Sequence, residues 1–526
     1  MSYDYIIVGG GISGLFLSYQ LSKDSNKSIL LLEATNKFGG RLDSYTEKGV
    51  SMELGGARIC ETHTKCMNLV KEMNLDKNLV RLPSNDQIVT KIKGPKINLK
   101  NLCKEVLKGS KDYSKKYLKG VTFQQLCFDI LGQEVTESMR EAFGYDSEFV
   151  HLNAYSMIKM FGKDLLANSD YFVLSSGICS LIHNLEMKIK DKVEFHFDTP
   201  IHDVGSNFVL VKNGKRDKKI YGHKIILCVP QKSILSYPFF KEKEFFHSVR
   251  PIPLLRIYAK YPVNKKGKPW FHGIKRTITD NYIRHIIPID YSSGLIMISY
   301  TDGDLACMWN NLAKIGSTNK ELIAKLHKEI ETIFKIKPPD PEFVKVAFWN
   351  EGVHMWKAGY DMKEVYQKIL HPEPKIFVAN EAFSQHQCWI EGSLDMCYDV
   401  LEELDHKRYK RTIPDRKKRT PKRTSKTFTI DEVLKKRNWI ILEIKGKKRI
   451  YDVGKWLSSH PGGSGNLRKG IQANKFYKDP EKYPHSPISL WKSIPAHKSG
   501  NVMKKMLLTD NEYAEYVKYI GLLKIK

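Results

Sequence analysis

The opening of the chain constrains its fold more than any other stretch: Tyr3 to Gly14 reads Y-D-Y-I-I-V-G-G-G-I-S-G. A short apolar run, Tyr5 to Val8, passes directly into Gly9, Gly11 and Gly14, and the apolar-rich stretch Leu15 to Leu21 follows. That order predicts a strand, a tight turn and a helix. A second apolar run, Ile29 to Leu32, ends in Glu33, about 20 residues past the glycines, where a dinucleotide fold places an acid for the ribose hydroxyl. Gly9 allows the turn, Gly11 lets backbone N–H groups approach a pyrophosphate, and Gly14 lets helix and strand pack closely. Ser13 shares the first helical turn, whose N-terminus favours phosphate charge. A dinucleotide at the start of the chain is the expectation.

At 526 residues the chain exceeds one ordinary core, so at least two domains are expected. An apolar content of 41%, with 26 Tyr and 23 Phe, excludes a disordered protein. The nine cysteines include no C-x-x-C pair, which points to reduced thiols and an intracellular, cytoplasmic protein. No stretch approaches the ~20 apolar residues of a membrane span, and the first strand starts too early for a signal peptide. Net charge is +28. Much of it is lysine spread through every segment, but Lys407 to Lys426 is more than half basic and is broken by two prolines. It reads as a solvated linker, with nucleic acid, an anionic surface or a nuclear import receptor as electrostatic alternatives.

Past Glu33 come Gly39-Gly40-Arg41 and then Glu53-Leu54-Gly55-Gly56-Ala57-Arg58-Ile59. With the fingerprint, these motifs resemble the FAD-dependent amine oxidase family. The resemblance implies that Arg41 reaches the FAD phosphates, a task its planar fork suits. It extends to Thr199-Pro200-Ile201, where Ile201 contacts the adenine, and to a returning strand at His223 to Pro230. It closes at Ile376 to Glu381 and Trp389-Ile390-Glu391-Gly392-Ser393. There Glu381 meets the ribityl or phosphate region, and Trp389 and Ile390 lie at the flavin. Gly55, Gly56 and Ala57 join the cofactor contacts.

The same resemblance aligns Arg256, in Pro253 to Tyr261, with an active-site lysine of the family, and Lys260 is the one nearby alternative. An arginine donates to water but is no base at neutral pH. Trp389 is expected as one aromatic wall of the substrate site and Trp356, in a loop after Trp349-Asn350-Glu351, as the other. Cys388 does not match the family's flavin-linking cysteine, so FAD is expected to be non-covalent. Arg58 is either the clamp for a substrate carboxylate, which favours the L-amino-acid oxidase branch over monoamine oxidases, or a contact to FAD or a structural acid.

Beyond the basic stretch, T-x-x-E-V at Thr429, W-I-I-L at Trp439, Y-D-V-x-x-W-L at Tyr451 and His460-Pro461-Gly462-Gly463 resemble cytochrome b5. That implies a b-type haem ligated by His460 and a second histidine, His485 or His497. The expected fold is an α/β FAD-binding, doubly wound (Rossmann-like) domain with an inserted α+β substrate domain, plus a small α+β cytochrome b5-like domain. The FAD part covers about 1–75, 191–240 and 370–404, and the substrate part about 76–190 and 241–369. A basic linker, 405–427, precedes the haem domain, 428–526. The expected activity is oxidation of a small amine or amino acid, with O2 or the internal haem as electron acceptor. A monoamine or polyamine oxidase, a flavin desaturase and a non-catalytic basic binding protein are the alternatives.

Overall fold

The computed structural model describes residues 2–24, 26–82, 88–93, 97–160, 170–213, 216–315, 319–404, 427–444, 447–453, 468–469, 471–479, 481–483 and 518–523. The chain divides into two compact units, Met1–Tyr409 and Lys410–Lys526. The candidate haem ligands His460, His485 and His497, and the basic cluster Lys407 to Lys426, lie outside the described residues.

The first unit starts as its glycines predict, with β1 (Ser2–Val8), α1 (Ile12–Leu21) and β2 (Ile29–Leu32). The two strands pair in parallel, Tyr5 with Ile29 through Val8 with Leu32. Their apolar runs do not alternate because both faces are covered, as in other parallel sheets: Ile6, Ile7, Leu30 and Leu31 are fully buried. Glu194–His196 (β3) extends the sheet beyond β2, and the end of Arg216–Leu227 (β4) pairs with β1 on the other side. Ile376–Val378 pairs in parallel with the last residues of β4. Five parallel strands are thus collected from four distant segments. The front half of β4 leaves this core to form an antiparallel meander with Phe208–Asn213 and Ile201–Val204.

α1 is apolar almost all round because it is enclosed, between Cys179–Ile189 and Ile390–Glu403 (α2). Cys179–Ile189 packs on α1, with Leu181, Ile182 and Leu185 buried in the core that they share with α1. The approach of α1 to β1 depends on Gly14, where an added Cβ would lie 2.0 Å from the Gly9 carbonyl oxygen.

A second sheet of the same unit has six strands, ordered Phe343–Trp356, Val249–Lys260, Leu295–Asp302, His285–Asp290, Thr277–Thr279 and Val89–Lys91. We label Val249–Lys260 β5, Leu295–Asp302 β6 and Phe343–Trp356 β7. Lys320–Phe334 covers it with Leu322, Leu326 and Ile330, as its spacing predicts, and these join Trp309 and Ile298 in a separate core. Between its pairings with Ile252 and Leu254, β7 carries extra residues, Asn350 to Gly352. This bulge keeps the strand going where a loop was expected. Trp356 is therefore the last residue of β7, 2% exposed, and its indole N–H donates to the Ser384 carbonyl at 2.9 Å. Expected as a wall of the substrate site, it is instead packed into the core.

The second unit contains a four-stranded sheet ordered Thr427–Phe428, Lys518–Leu523, Lys447–Asp452 and Trp439–Ile444. Thr429 and Glu432 form a reciprocal capping box on Ile430–Leu434, placing Val433 against Ile441 and Ile450. Asn474 bridges the Trp439 carbonyl and the Ile441 N–H at 2.7 and 2.8 Å. All nine cysteines are unpaired. Among the described residues no helix is long and apolar enough to cross a membrane. Replacing Gly14 by Ala is expected to lower the unfolding free energy of the first unit by about 1–3 kcal/mol, measured as a shift in denaturant midpoint, because the new methyl has to push helix from strand.

Candidate functional site

The parallel sheet and the six-stranded sheet of the first unit share one cavity of about 550 Å³. At the strand ends its lining comes from Gly9, Gly11, Ile12, Ser13 and Glu33. The first backbone bond of α1 runs from Leu15 N–H to Gly11 O at 3.0 Å. The N–H groups of Ile12 and Ser13 precede it and are left as the turn's spare donors. Glu33 Oε1 accepts from Thr35 N–H and Oγ1 at 2.9 and 2.8 Å, and Oε2 from Gly10 N–H at 2.7 Å. Oε2 keeps acceptor capacity for one further hydroxyl. Thr199, Pro200 and Ile201 complete this part of the wall.

The second glycine segment works through Arg41. An added Cβ at Gly55 would lie 1.8 Å from the Arg41 carbonyl oxygen, and Gly56 N–H donates to that oxygen at 2.8 Å. Gly55 and Gly56 thereby clamp the backbone that aims Arg41, and with Ala57 they line the cavity. Arg41 Nη1 pairs with Glu381 Oε1 and donates to the Gly352 carbonyl, in the β7 bulge, at 3.2 Å. The opposite side of Glu381 Oε1 meets His354 Nδ1 at 2.9 Å, and His354 Nε2 lies 3.4 Å from Glu351 Oε2. Burial pushes the Glu381 carboxyl up, but Arg41 and His354 outweigh it and hold it at about 2. Burial pulls His354 down, yet Glu381 and Glu351 hold it above the ordinary histidine value.

Trp389 caps α2 and lines the cavity with Ile390 and Ser393. Its ring stacks on Tyr171 at 5.9 Å and meets His63 edge-on at 4.8 Å. His63 is neutral, because burial and then His386 push it down to about 4. Arg58 stands over both rings, 5.8 Å from Trp389 and 5.9 Å from Tyr171. It forms no ion pair within 4 Å among the described residues, so no structural acid there claims it. Cys388 also lines the cavity, and burial holds its thiol well above the ordinary range, so it is no thiolate nucleophile.

Arg256 reaches the cavity from β5, where its Nη1 donates to the Glu53 carbonyl at 2.8 Å and its guanidinium lies 5.0 Å from the Tyr300 ring. Lys260, the alternative in that strand, is paired with Glu342 and does not line the cavity. The structure adds residues that no motif announced: Tyr145, Glu148 and Tyr300 share the wall with Glu351, and Tyr145 and Tyr300 meet at 5.4 Å. Glu148 Oε2 is buried without a hydrogen-bond partner, and burial, then Asp302, push its carboxyl up to about 7.

Residues 7–73 match the family model of an NAD(P)-binding Rossmann-like domain. The cavity belongs to a dinucleotide-binding fold. The similarities to named relatives each cover a small share of the chain, and one to a solved structure covers most of it. Flavin-containing amine oxidase A of horse is 33% identical over 93 residues, 18% of this chain and 17% of that protein. Coproporphyrinogen III oxidase of Staphylococcus aureus is 33% identical over 81 residues, 15% and 17% of the two chains. The chain thus spans under a fifth of the length of these relatives. A solved Exiguobacterium structure named "Putative protoporphyrinogen oxidase" shares the fold, with a TM-score of 0.59 at 16% identity, over 77% of this chain and 99% of that one.

The buried His354 pair generates a stability prediction. The contribution of His354 is fully present below its ordinary pKa of ~6.5 and is lost as pH rises through the higher folded value. That of Glu381 is present above the ordinary carboxylate range and is lost as pH falls through about 2. His354→Gln leaves Glu381 with Arg41 alone and Glu351 without its side-chain cation, and is expected to cost about 3 kcal/mol at pH 6 in denaturant unfolding. The difference from wild type should narrow as pH is raised past 7.

Proposed function

We propose that this chain is an FAD-dependent oxidoreductase of the amine oxidase type, acting on an amine and best suited to an L-amino acid. The observation that carries the reading is the unpaired Arg58 guanidinium in the cavity that also contains the glycine fingerprint. The cavity fits FAD: Gly11 keeps a side chain out of the space beside α1, Glu33 Oε2 has room for a ribose hydroxyl, and spare N–H groups face the phosphate position. Arg41 spends Nη1 on Glu381 and Gly352, which leaves its remaining donors for a phosphate oxygen. When bound, FAD supplies a two-electron acceptor for a hydride from the substrate Cα.

The chain's own residues would do the rest. Arg58 pairs bidentately with the substrate carboxylate, and the Trp389 and Tyr171 rings hold its guanidinium in plane. Trp389 presents an apolar face to the reacting carbon. Arg256 stays cationic and orients water or the flavin edge; it removes no proton. With Cys388 a buried thiol, FAD is held non-covalently. O2 or the C-terminal unit then takes the electrons. For that unit we propose a b-type haem on His460 with His485 or His497, supported by the H-P-G-G sequence and by the capping box at Thr429 and the paired strands Trp439–Ile444 and Lys447–Asp452 that carry the other matching motifs. A one-electron centre is what such a haem would provide.

A second reading is oxidation of a porphyrinogen, favoured by the fold shared with the Exiguobacterium structure and by the S. aureus relative. Arg58 would then pair with a propionate side chain. Arg58→Ala separates the readings: kcat/KM for an L-amino acid should fall roughly 100-fold, while that for the corresponding decarboxylated amine changes little. Equal loss on both substrates, or oxidation of a porphyrinogen alone, contradicts the amino-acid reading. One absorption spectrum of the purified chain checks the cofactors: flavin bands released by acid precipitation are expected, with a Soret band that shifts on reduction. A spectrum without flavin bands favours the basic binding protein.

A further inference from the structure

Glu148 has no part in the roles above, yet it lines the same cavity as Arg58, Cys388 and Trp389. It sits on the short helical turn Ser147–His151, which Asp302, at the end of β6, fixes by accepting the Ser147 N–H at 2.7 Å and its hydroxyl. Asp302 therefore has its own donors and offers none to Glu148. The groups acting on the Glu148 carboxyl are Asp302, its own backbone N–H, Arg58, Tyr145 and Cys388, and none of them donates to Oε2. Arg58 is the one cation among them, and it forms no ion pair with Glu148 within 4 Å. A buried carboxyl oxygen without a donor costs free energy, and Glu148 Oε2 is such an oxygen at the wall of the cavity. A ligand donor in the cavity resolves it.

We propose that Glu148 accepts the ammonium proton of the substrate whose carboxylate rests on Arg58. This deepens the amino-acid reading and rests on it. The step moves one proton and no electrons: an N–H bond of the ammonium breaks, an O–H bond forms at Oε2, and the amine and the Glu148 carboxyl both end neutral while the substrate carboxylate keeps its charge on Arg58. A dry cavity favours that exchange because it raises the carboxyl and lowers the ammonium, drawing their affinities for the proton together. The neutral amine is the form that can give up a hydride. Arg58 and Glu148 then read the two charged ends of one zwitterion.

The test uses the full chain loaded with FAD and two probes, L-leucine and its des-amino analogue 4-methylpentanoate. Glu148→Gln has the shape of the protonated carboxyl that the wild type itself holds below pH 7, so the fold is retained; flavin content verifies it. In wild type, kcat/KM for flavin reduction by L-leucine should rise with pH through about 7, where Glu148 ionises. In Glu148→Gln that limb should vanish, leaving a rise only at the ammonium's own value of about 8 to 10. Near pH 7.5 the variant should be slower by roughly 100-fold.

Calorimetry gives a readout that needs no turnover. At pH 6, in buffers of different ionisation enthalpy, L-leucine should release about one proton on binding wild type and none on binding Glu148→Gln. The variant should bind L-leucine at least ~10-fold more weakly and 4-methylpentanoate as wild type does. A variant that keeps the limb near pH 7 and the proton release, or that weakens both probes alike, overturns the role of Glu148. If 4-methylpentanoate binds and L-leucine does not, a carboxylate site without ammonium recognition is shown and the proposal falls. If neither probe binds wild type, the amino-acid reading itself fails, and this role with it.

Discussion

The first unit depends on the pairing of Arg41 with Glu381. It joins residues 340 positions apart: Arg41 comes from the second glycine segment and Glu381 from the turn after Ile376–Val378. Glu381 also holds His354, and His354 reaches Glu351, so the bulge of β7 is tied into the same network. His354 and Glu381 are buried and Arg41 and Glu351 partly so, and removing one partner of such a network leaves a charge uncompensated. The effect of the network is to fix the six-stranded sheet against the parallel sheet at one point. The cavity is the space left beside that point, and both its phosphate-side donors and its aromatic wall depend on the point being held.

Most of what surrounds the cavity is an accommodation of backbone to backbone. Gly14 admits the Gly9 carbonyl, Gly55 admits the Arg41 carbonyl, and Gly392 lets the start of α2 pass within 2.2 Å, by an added Cβ, of the His386 carbonyl. Glu391, next to it, accepts from Lys65 and Cys66 N–H at 3.1 and 2.8 Å and so anchors the helix Thr64–Glu72. The motif at Trp389 thus does two things at once: its acid and glycine lock two helices, and its tryptophan is left facing the cavity.

Such close approaches were legible in the sequence because each leaves a local mark. The glycine fingerprint, the acid at Glu33, the apolar runs of the parallel strands and the spacing of Lys320–Phe334 are all properties of contiguous residues. Glu148, Tyr145 and Tyr300 were not legible, because no local motif marks them; the packing of the turn at Ser147 under Asp302 brings Glu148 and Tyr145 to the wall, beside Tyr300 of β6. Trp356 was misplaced for the reverse reason. The polar residues after Trp349 look like a loop, but they are a bulge in a strand that continues, and the strand takes Trp356 into the core.

On the proposed function, the cavity is where a flavin meets an amine with a carboxylate beside it. The most direct test of that function is anaerobic mixing of the FAD-loaded chain with a panel of L-amino acids, followed by the main visible flavin band. Bleaching by at least one L-amino acid, and by none of the D-enantiomers, is the predicted result. A band that stays at full height with every amino acid and amine would contradict it.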